Sequence, residues 1–131
     1  MVFNNLKFLK TEKQVVLKTT ESDIQEFYVG VLGGKITRHF TLNAEEAIKS
    51  LDIPQPQDVY ELKIQNMLFE LCPCEVFEQD SLQHMCLHLD NAPNAFRKAL
   101  VHKYWTCLRK KDGKETYFIK DKNNNLFELE N

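Results

Sequence analysis

The tetrapeptide Leu-Phe-Glu-Leu is written twice in this chain, at 68–71 and 126–129, with an asparagine two residues ahead each time (Asn66 and Asn124). Successive side chains of a strand point to opposite faces, so each copy presents Phe and Leu to one side and a single glutamate to the other. A repeat 58 positions apart in 131 residues leaves room for two copies of one small module. Neither copy is long enough to bury a sizeable interior alone, so the two must share one.

Reading outward from the repeats extends the likeness. QVVLKT (14–19) is rich in β-branched residues and reads as a strand. With Ser22 or Asp23 as N-cap, IQEFYVGVLGG places Ile24, Phe27, Val31 and Leu32 at helical spacing and stops at Gly33-Gly34. KITRHFTLN reads as a strand, and AEEAIKSL as a short helix capped by Asn43, with Glu45 and Glu46 in its first turn. DVYELKIQ and NMLFELC read as two strands around a tight turn at Gln65-Asn66. The second half runs the same course. HMCLHL (84–89) is a strand, followed by a helix opened by Asn91, with Pro93 in its first turn and Phe96 and Leu100 on its buried side. YWTCLRK, ETYFIKD and NNLFELE supply three more strands, the first two joined at Asp112-Gly113. Tyr104 and Trp105 read as core, His39 and His102 as surface. The expectation is an α+β chain of two βαβββ modules, 1–79 and 80–131, that together make one domain.

Bulk properties exclude several classes. A 43% hydrophobic content with 11% aromatics suffices for a packed interior, and a net charge of −2 gives no field that would attract nucleic acid. The lysine-rich RKKDGKE (109–115) surrounds a glycine and reads as a solvated hairpin tip. No apolar run reaches bilayer length and MVFNNLKFLKTEK lacks the pattern of a secretory leader, so the expectation is a cytoplasmic chain with no membrane partner. The four cysteines, Cys72, Cys74, Cys86 and Cys107, lack the spacing of a disulfide scaffold and are expected as thiols.

Strand alternation sorts the chemistry-bearing residues. Met85, Leu87 and Leu89 share one face of their strand, while His84, Cys86 and His88 share the other. Glu70 and Glu128 point away from the core side of theirs. A merely wet face seldom gathers His, Cys and Glu with Lys18 as its only long cation. One use of such residues is a structural zinc site built from Cys72, Cys74, His84 and His88, two thiolates and two imidazoles.

A second use comes from resemblance. The helix IQEFYVGVLGGKI, the strand LQHMCLHLDN and the closing hairpin YFIKDKNNNLFEL, with Asp121 seven residues before Glu128, resemble the vicinal oxygen chelate superfamily. That superfamily includes glyoxalase I, methylmalonyl-CoA epimerase, extradiol dioxygenases, and bleomycin and fosfomycin resistance proteins. The resemblance covers nearly the whole chain and implies paired βαβββ modules whose curled mixed sheets face a shared cleft. It implies four metal ligands at Gln14, Glu70, His84 and Glu128. The last turn, Lys122-Asn123-Asn124, departs from the family's Pro-x-Gly. Members that use glutathione carry arginines near the ligands; here Lys18 is one candidate contact, while Asp80 and Cys74 occupy other such places.

One imidazole, one amide oxygen and two carboxylates suit a divalent Zn, Ni, Co or Mn ion. The resemblance therefore implies an isomerase or lyase of glyoxalase or epimerase type, acting on a small carbonyl compound or thioester through a metal-stabilised enediolate. It assigns Glu128 as base, Glu70 as a fixed ligand that could share the proton shuttle, and Lys18 as a substrate contact; His88 and Cys86, on the same strand face as His84, are read as further substrate contacts. It also implies a homodimer, in which Gln14 and Glu70 of one chain would meet His84 and Glu128 of another if the modules swap. The competing readings are a drug- or metabolite-binding protein of the bleomycin-resistance type, and an iron dioxygenase, which wants two histidines and one carboxylate.

Overall fold

The computed structural model describes residues 14–73 and 84–131, and of Gln14 only the backbone. Two four-stranded mixed sheets carry the chain. In the first module β1 (Gln14–Thr19), β2 (Lys35–Leu42), β3 (Gln57–Ile64) and β4 (Met67–Pro73) are ordered β1-β4-β3-β2. In the second, β5 (His84–His88), β6 (Trp105–Lys111), β7 (Lys114–Lys120) and β8 (Leu126–Glu130) are ordered β5-β8-β7-β6. The outer pairs β1–β4 and β5–β8 are parallel, and the rest antiparallel. This is the two-module βαβββ arrangement expected from the repeat, and the two Leu-Phe-Glu-Leu copies occupy equivalent strands, β4 and β8.

Local signals account for most boundaries. Asn43 and Glu46 form a reciprocal capping box that opens α2 (Ala44–Leu51). Asn91 caps α3 (Ala92–Val101), with Pro93 in the first turn where its missing N–H costs nothing. Asp112 and Gly113 both have positive φ, as a two-residue hairpin turn between right-twisted strands requires. The first helix, α1, departs from expectation twice. Its N-cap is Thr20, not Ser22 or Asp23, and after one α-turn at Glu21–Asp23 it continues as a π-helix over Ile24–Val31. Residues 27 and 28 of an α-helix lie about 100° apart, on different stripes. The wider turn buries both Phe27 and Tyr28 completely, where the 3.6 spacing had singled out Phe27 alone.

Both modules contribute to one interior, which joins Leu17, Phe69 and Leu71 to Leu87, Phe127 and Leu129 around α1 and α3. Phe27 is its hub: its ring lies 5.0 Å from Tyr28, 4.8 Å from Tyr104 and 5.7 Å from Phe127. Two expected core residues lie elsewhere. Trp105 is 49% exposed, because alternation on β6 turns it to the sheet's outer face; Leu100 is 52% exposed, because Ala92, Ala95 and Ala99 form the buried stripe of α3.

Buried polar contacts fix one module against the other. Asp121, in the β7–β8 loop, accepts hydrogen bonds from the Tyr28 hydroxyl (2.7 Å), the Thr19 hydroxyl (2.9 Å) and the Asn125 amide (2.7 Å). Asn123 and Asn125 both donate to the Lys18 carbonyl at the end of β1. Asp23 of α1 accepts from Tyr104 and from the backbone of Lys122. With its donors matched, a buried carboxylate is tolerated and orients its surroundings.

The outer faces of the two sheets differ. In the first module Ala47, Ile53, Val59 and Cys72 are buried but stand apart from the shared core. Val59 and Cys72 point away from the shared core by strand alternation, and Ala47 of α2 and Ile53 just after it are buried as well. In the second module the corresponding connection is the two-residue turn at 112–113, and among the described residues no helix lies over the outer face.

Candidate metal centre

The open face of the second sheet brings together donors from β5 and β8. Parallel pairing sets His84 against Leu126, Cys86 against Glu128 and His88 against Glu130. Because side chains two apart share a face, His84 and Cys86 flank Glu128 from the neighbouring strand. His84 Nε2 lies 3.3 Å from Glu128 Oε1, with the histidine side chain 52% and the glutamate 22% exposed. One ligating atom each from His84, Cys86 and Glu128 fall within 4.8 Å of one another. Burial, then Glu128 and Glu130, push the Cys86 thiol up from its ordinary value. A second pair extends the row, with His88 Nε2 3.2 Å from Glu130 Oε1.

The same face carries aromatic rings and cations. Phe118, which stands opposite Glu128 on β7, has its ring 6.4 Å from that of His84. Arg109 lies over Phe118 at 5.1 Å, and Lys120 over Trp105 at 4.6 Å. The expectation that Lys18 would be the only long cation on such faces is therefore corrected: β6 and β7 add Arg109 and Lys120, hidden from sequence because their face depends on register. Two open depressions adjoin the donors. One of about 330 Å³ touches Glu128, Glu130, Thr116 and Tyr117. Another of about 550 Å³ touches Cys86 and His88 together with Gln65, Asn66 and Met67 of the first module.

The remaining candidate residues stand on the first sheet. Gln14 opens β1 opposite Leu68, Val16 pairs with Glu70, and Lys18 pairs with Cys72. Glu70 is half-buried, Lys18 exposed, and neither belongs to the His84–Cys86–Glu128 group. Within one chain, then, the described donors gather on the second sheet without Glu70. Cys72 is fully buried on the first sheet, whereas His84 and His88 are exposed on the second, and Cys74 and Asp80 lie outside the described residues. Sequence reasoning placed Cys86 on the same face as His84 and His88 but read it as a substrate contact. The signal for a donor was its position midway between His84 and His88, which acquires meaning only once β5 is paired with β8. Asp121 was visible only as a spacing mark before Glu128.

An imidazole, a thiol and a carboxylate within coordination reach, open to solvent on one side, fit a divalent cation such as zinc or cobalt. No helix among the described residues is long and apolar enough to cross a membrane.

No protein-family model matches this sequence, and no curated protein matches it. Solved structures do. A glyoxalase family protein from Enterococcus faecalis aligns with a TM-score of 0.64 at 20% identity, over 93% of this chain and 98% of that one. The trypanothione-dependent glyoxalase I of Leishmania major aligns with a TM-score of 0.65 at 15% identity, over 91% and 84%. A variant of the fosfomycin resistance protein FosX from Listeria monocytogenes, complexed with Mn(II) and a dihydroxypropylphosphonic acid, aligns with a TM-score of 0.64 at 12% identity, over 89% and 88%. The chain shares the fold of these glyoxalase and FosX structures.

Proposed function

We propose that this protein is a metal-dependent isomerase or lyase of glyoxalase or epimerase type, moving a proton on a small carbonyl compound or thioester. The observation that carries the reading is the 3.3 Å approach of His84 Nε2 and Glu128 Oε1 on an open sheet face. The fold is shared with glyoxalases and with a FosX complex that holds Mn(II), which supports the same reading. His84 and Glu128 would hold the ion, with Glu70 and Gln14 completing the set. When bound, the cation supplies Lewis-acid polarisation of a substrate oxygen, which raises the acidity of the neighbouring C–H.

This chain's own residues do the rest. Glu128, partly screened from water, takes the proton from the carbon beside the carbonyl and returns it to the adjacent carbon in a glyoxalase-type isomerisation, or to the same carbon in an epimerisation. His84 would hold the ion beside that carboxylate. Arg109 and Lys120, resting on aromatic rings, and His88 beside the larger depression are placed to orient the remainder of a substrate. Since Glu70 belongs to the first sheet and outside the described donor group, the complete four-ligand set is proposed to form between two chains, in a homodimer.

The test is elemental analysis of protein purified without a metal-binding tag, paired with uptake of solvent deuterium into α-oxo aldehyde–thiol adducts and acyl thioesters. About one divalent ion per site and exchange that Glu128→Gln abolishes are expected. Metal-free protein with tight binding of a flat aromatic compound would instead mark a sequestering protein.

A further inference from the structure

The geometry points to Cys86 as a direct metal ligand, so that the second sheet by itself offers a cation an imidazole, a thiolate and a carboxylate. This rests on the metal-site reading above and changes its character: the centre becomes a soft one that selects zinc and cobalt over manganese and magnesium.

Three observations converge. Cys86 is paired directly with Glu128 across the parallel β5–β8 ladder, and His84 lies two residues before it on the same face. The three ligating atoms are mutually within 4.8 Å, and the His84–Glu128 distance is 3.3 Å. Tetrahedral zinc, with bonds of about 2.0 Å to nitrogen and oxygen and about 2.3 Å to sulfur, needs donor separations of about 3.3–3.6 Å. The histidine–glutamate spacing already meets that. The sulfur lies no more than 4.8 Å from either partner, and on the exposed side chains of Cys86 and His84 a rotamer change would bring it to bonding distance. Third, one thiolate and one carboxylate match the charge of a divalent ion, so the sheet needs no further anion for neutrality. Coordination releases the thiol proton to solvent, one per cation.

Thiolate ligation favours zinc, whereas manganese and magnesium prefer all-oxygen surroundings. Cys107 is the control. It is exposed on β6, across the same sheet, and outside the donor group.

The experiment is titration of metal-free protein with Co(II), followed in the visible for cobalt d–d bands and in the near ultraviolet for sulfur-to-cobalt charge transfer. Wild type is expected to show both sets of bands with one proton released. Cys86→Ser should lose the charge-transfer band and bind cobalt at least tenfold more weakly, while Cys107→Ser keeps both. A lower zinc-over-manganese preference in Cys86→Ser would support the assignment further. Visible bands without charge transfer in wild type would overturn the thiolate while leaving the metal site standing, and so would a charge-transfer band that survives Cys86→Ser. Absence of any cobalt binding would overturn both.

Discussion

The carboxylate of Asp121 and the hydroxyl of Tyr28 are 2.7 Å apart, in residues 3% and 0% exposed, although the first closes the second module and the second lies in the helix of the first. This contact, with Thr19 and Asn125 at the same oxygen, sets where β8 begins relative to β1. It therefore sets the height at which Glu128 is carried. Asp121→Ala would strand five buried donors, the Tyr28 and Thr19 hydroxyls, the Asn125 side-chain amide and the backbone N–H groups of Asn123 and Asn125, at about 1–3 kcal/mol each, part of which relaxation recovers. The expected loss is about 3 kcal/mol or more, read as a shift in the urea midpoint; a loss below about 1 kcal/mol would show that the carboxylate is dispensable.

The two buried phenols give the fold an alkaline limit. Burial and then Asp121 raise Tyr28 well above the usual value; burial and then Asp23 raise Tyr104. Both favour the neutral form in the folded state, so their contribution is intact below about pH 10 and is lost as pH rises toward the folded-state values. Urea unfolding across the alkaline range should show stability falling above about pH 10, with the slope reduced in Tyr28→Phe and Tyr104→Phe together. A flat profile would contradict the assignment.

At the end of α1 the chain passes close to β3. A Cβ on Gly34 would sit 2.7 Å from Leu62 Cδ2 and 2.8 Å from the Tyr28 carbonyl oxygen, and the backbone atom cannot move cheaply. Gly34→Ala is expected to cost about 1–3 kcal/mol by overpacking. Thermal melting of the variant against wild type measures it.

Assembly across two chains has its own signature. Mixing Glu70→Gln chains with Glu128→Gln chains, each inactive alone, would create in every mixed dimer one site with both glutamates intact. Recovery of up to about half the wild-type activity per mixed dimer is expected. Failure to recover, with mixed dimers verified by mass spectrometry, would place both glutamates of a working site on one chain.

Removing the imaginable ligands one at a time separates holding the ion from moving the proton. His84→Ala is expected to lose the metal and, with it, turnover. Glu128→Gln keeps an oxygen donor, so it should retain part of the metal while turnover falls by at least a hundredfold. Metal content and deuterium exchange on the same samples decide it; full exchange in Glu128→Gln would remove Glu128 from the base role.

Much of this was legible along the chain because it is local. Strand alternation put Phe69, Leu71, Phe127 and Leu129 inside and both glutamates outside, and Asn43, Asn91 and Asp112-Gly113 marked caps and a turn through contacts within four residues. The duplicated Leu-Phe-Glu-Leu thereby determined two like modules. Which donors meet is a non-local matter. The β5–β8 register is a parallel pairing between segments separated by a helix and two strands, and only that register sets Cys86 against Glu128. Packing likewise decided that Tyr28 turns inward to Asp121 and that Trp105 faces solvent, since a period tells which residues share a side and not what lies on it.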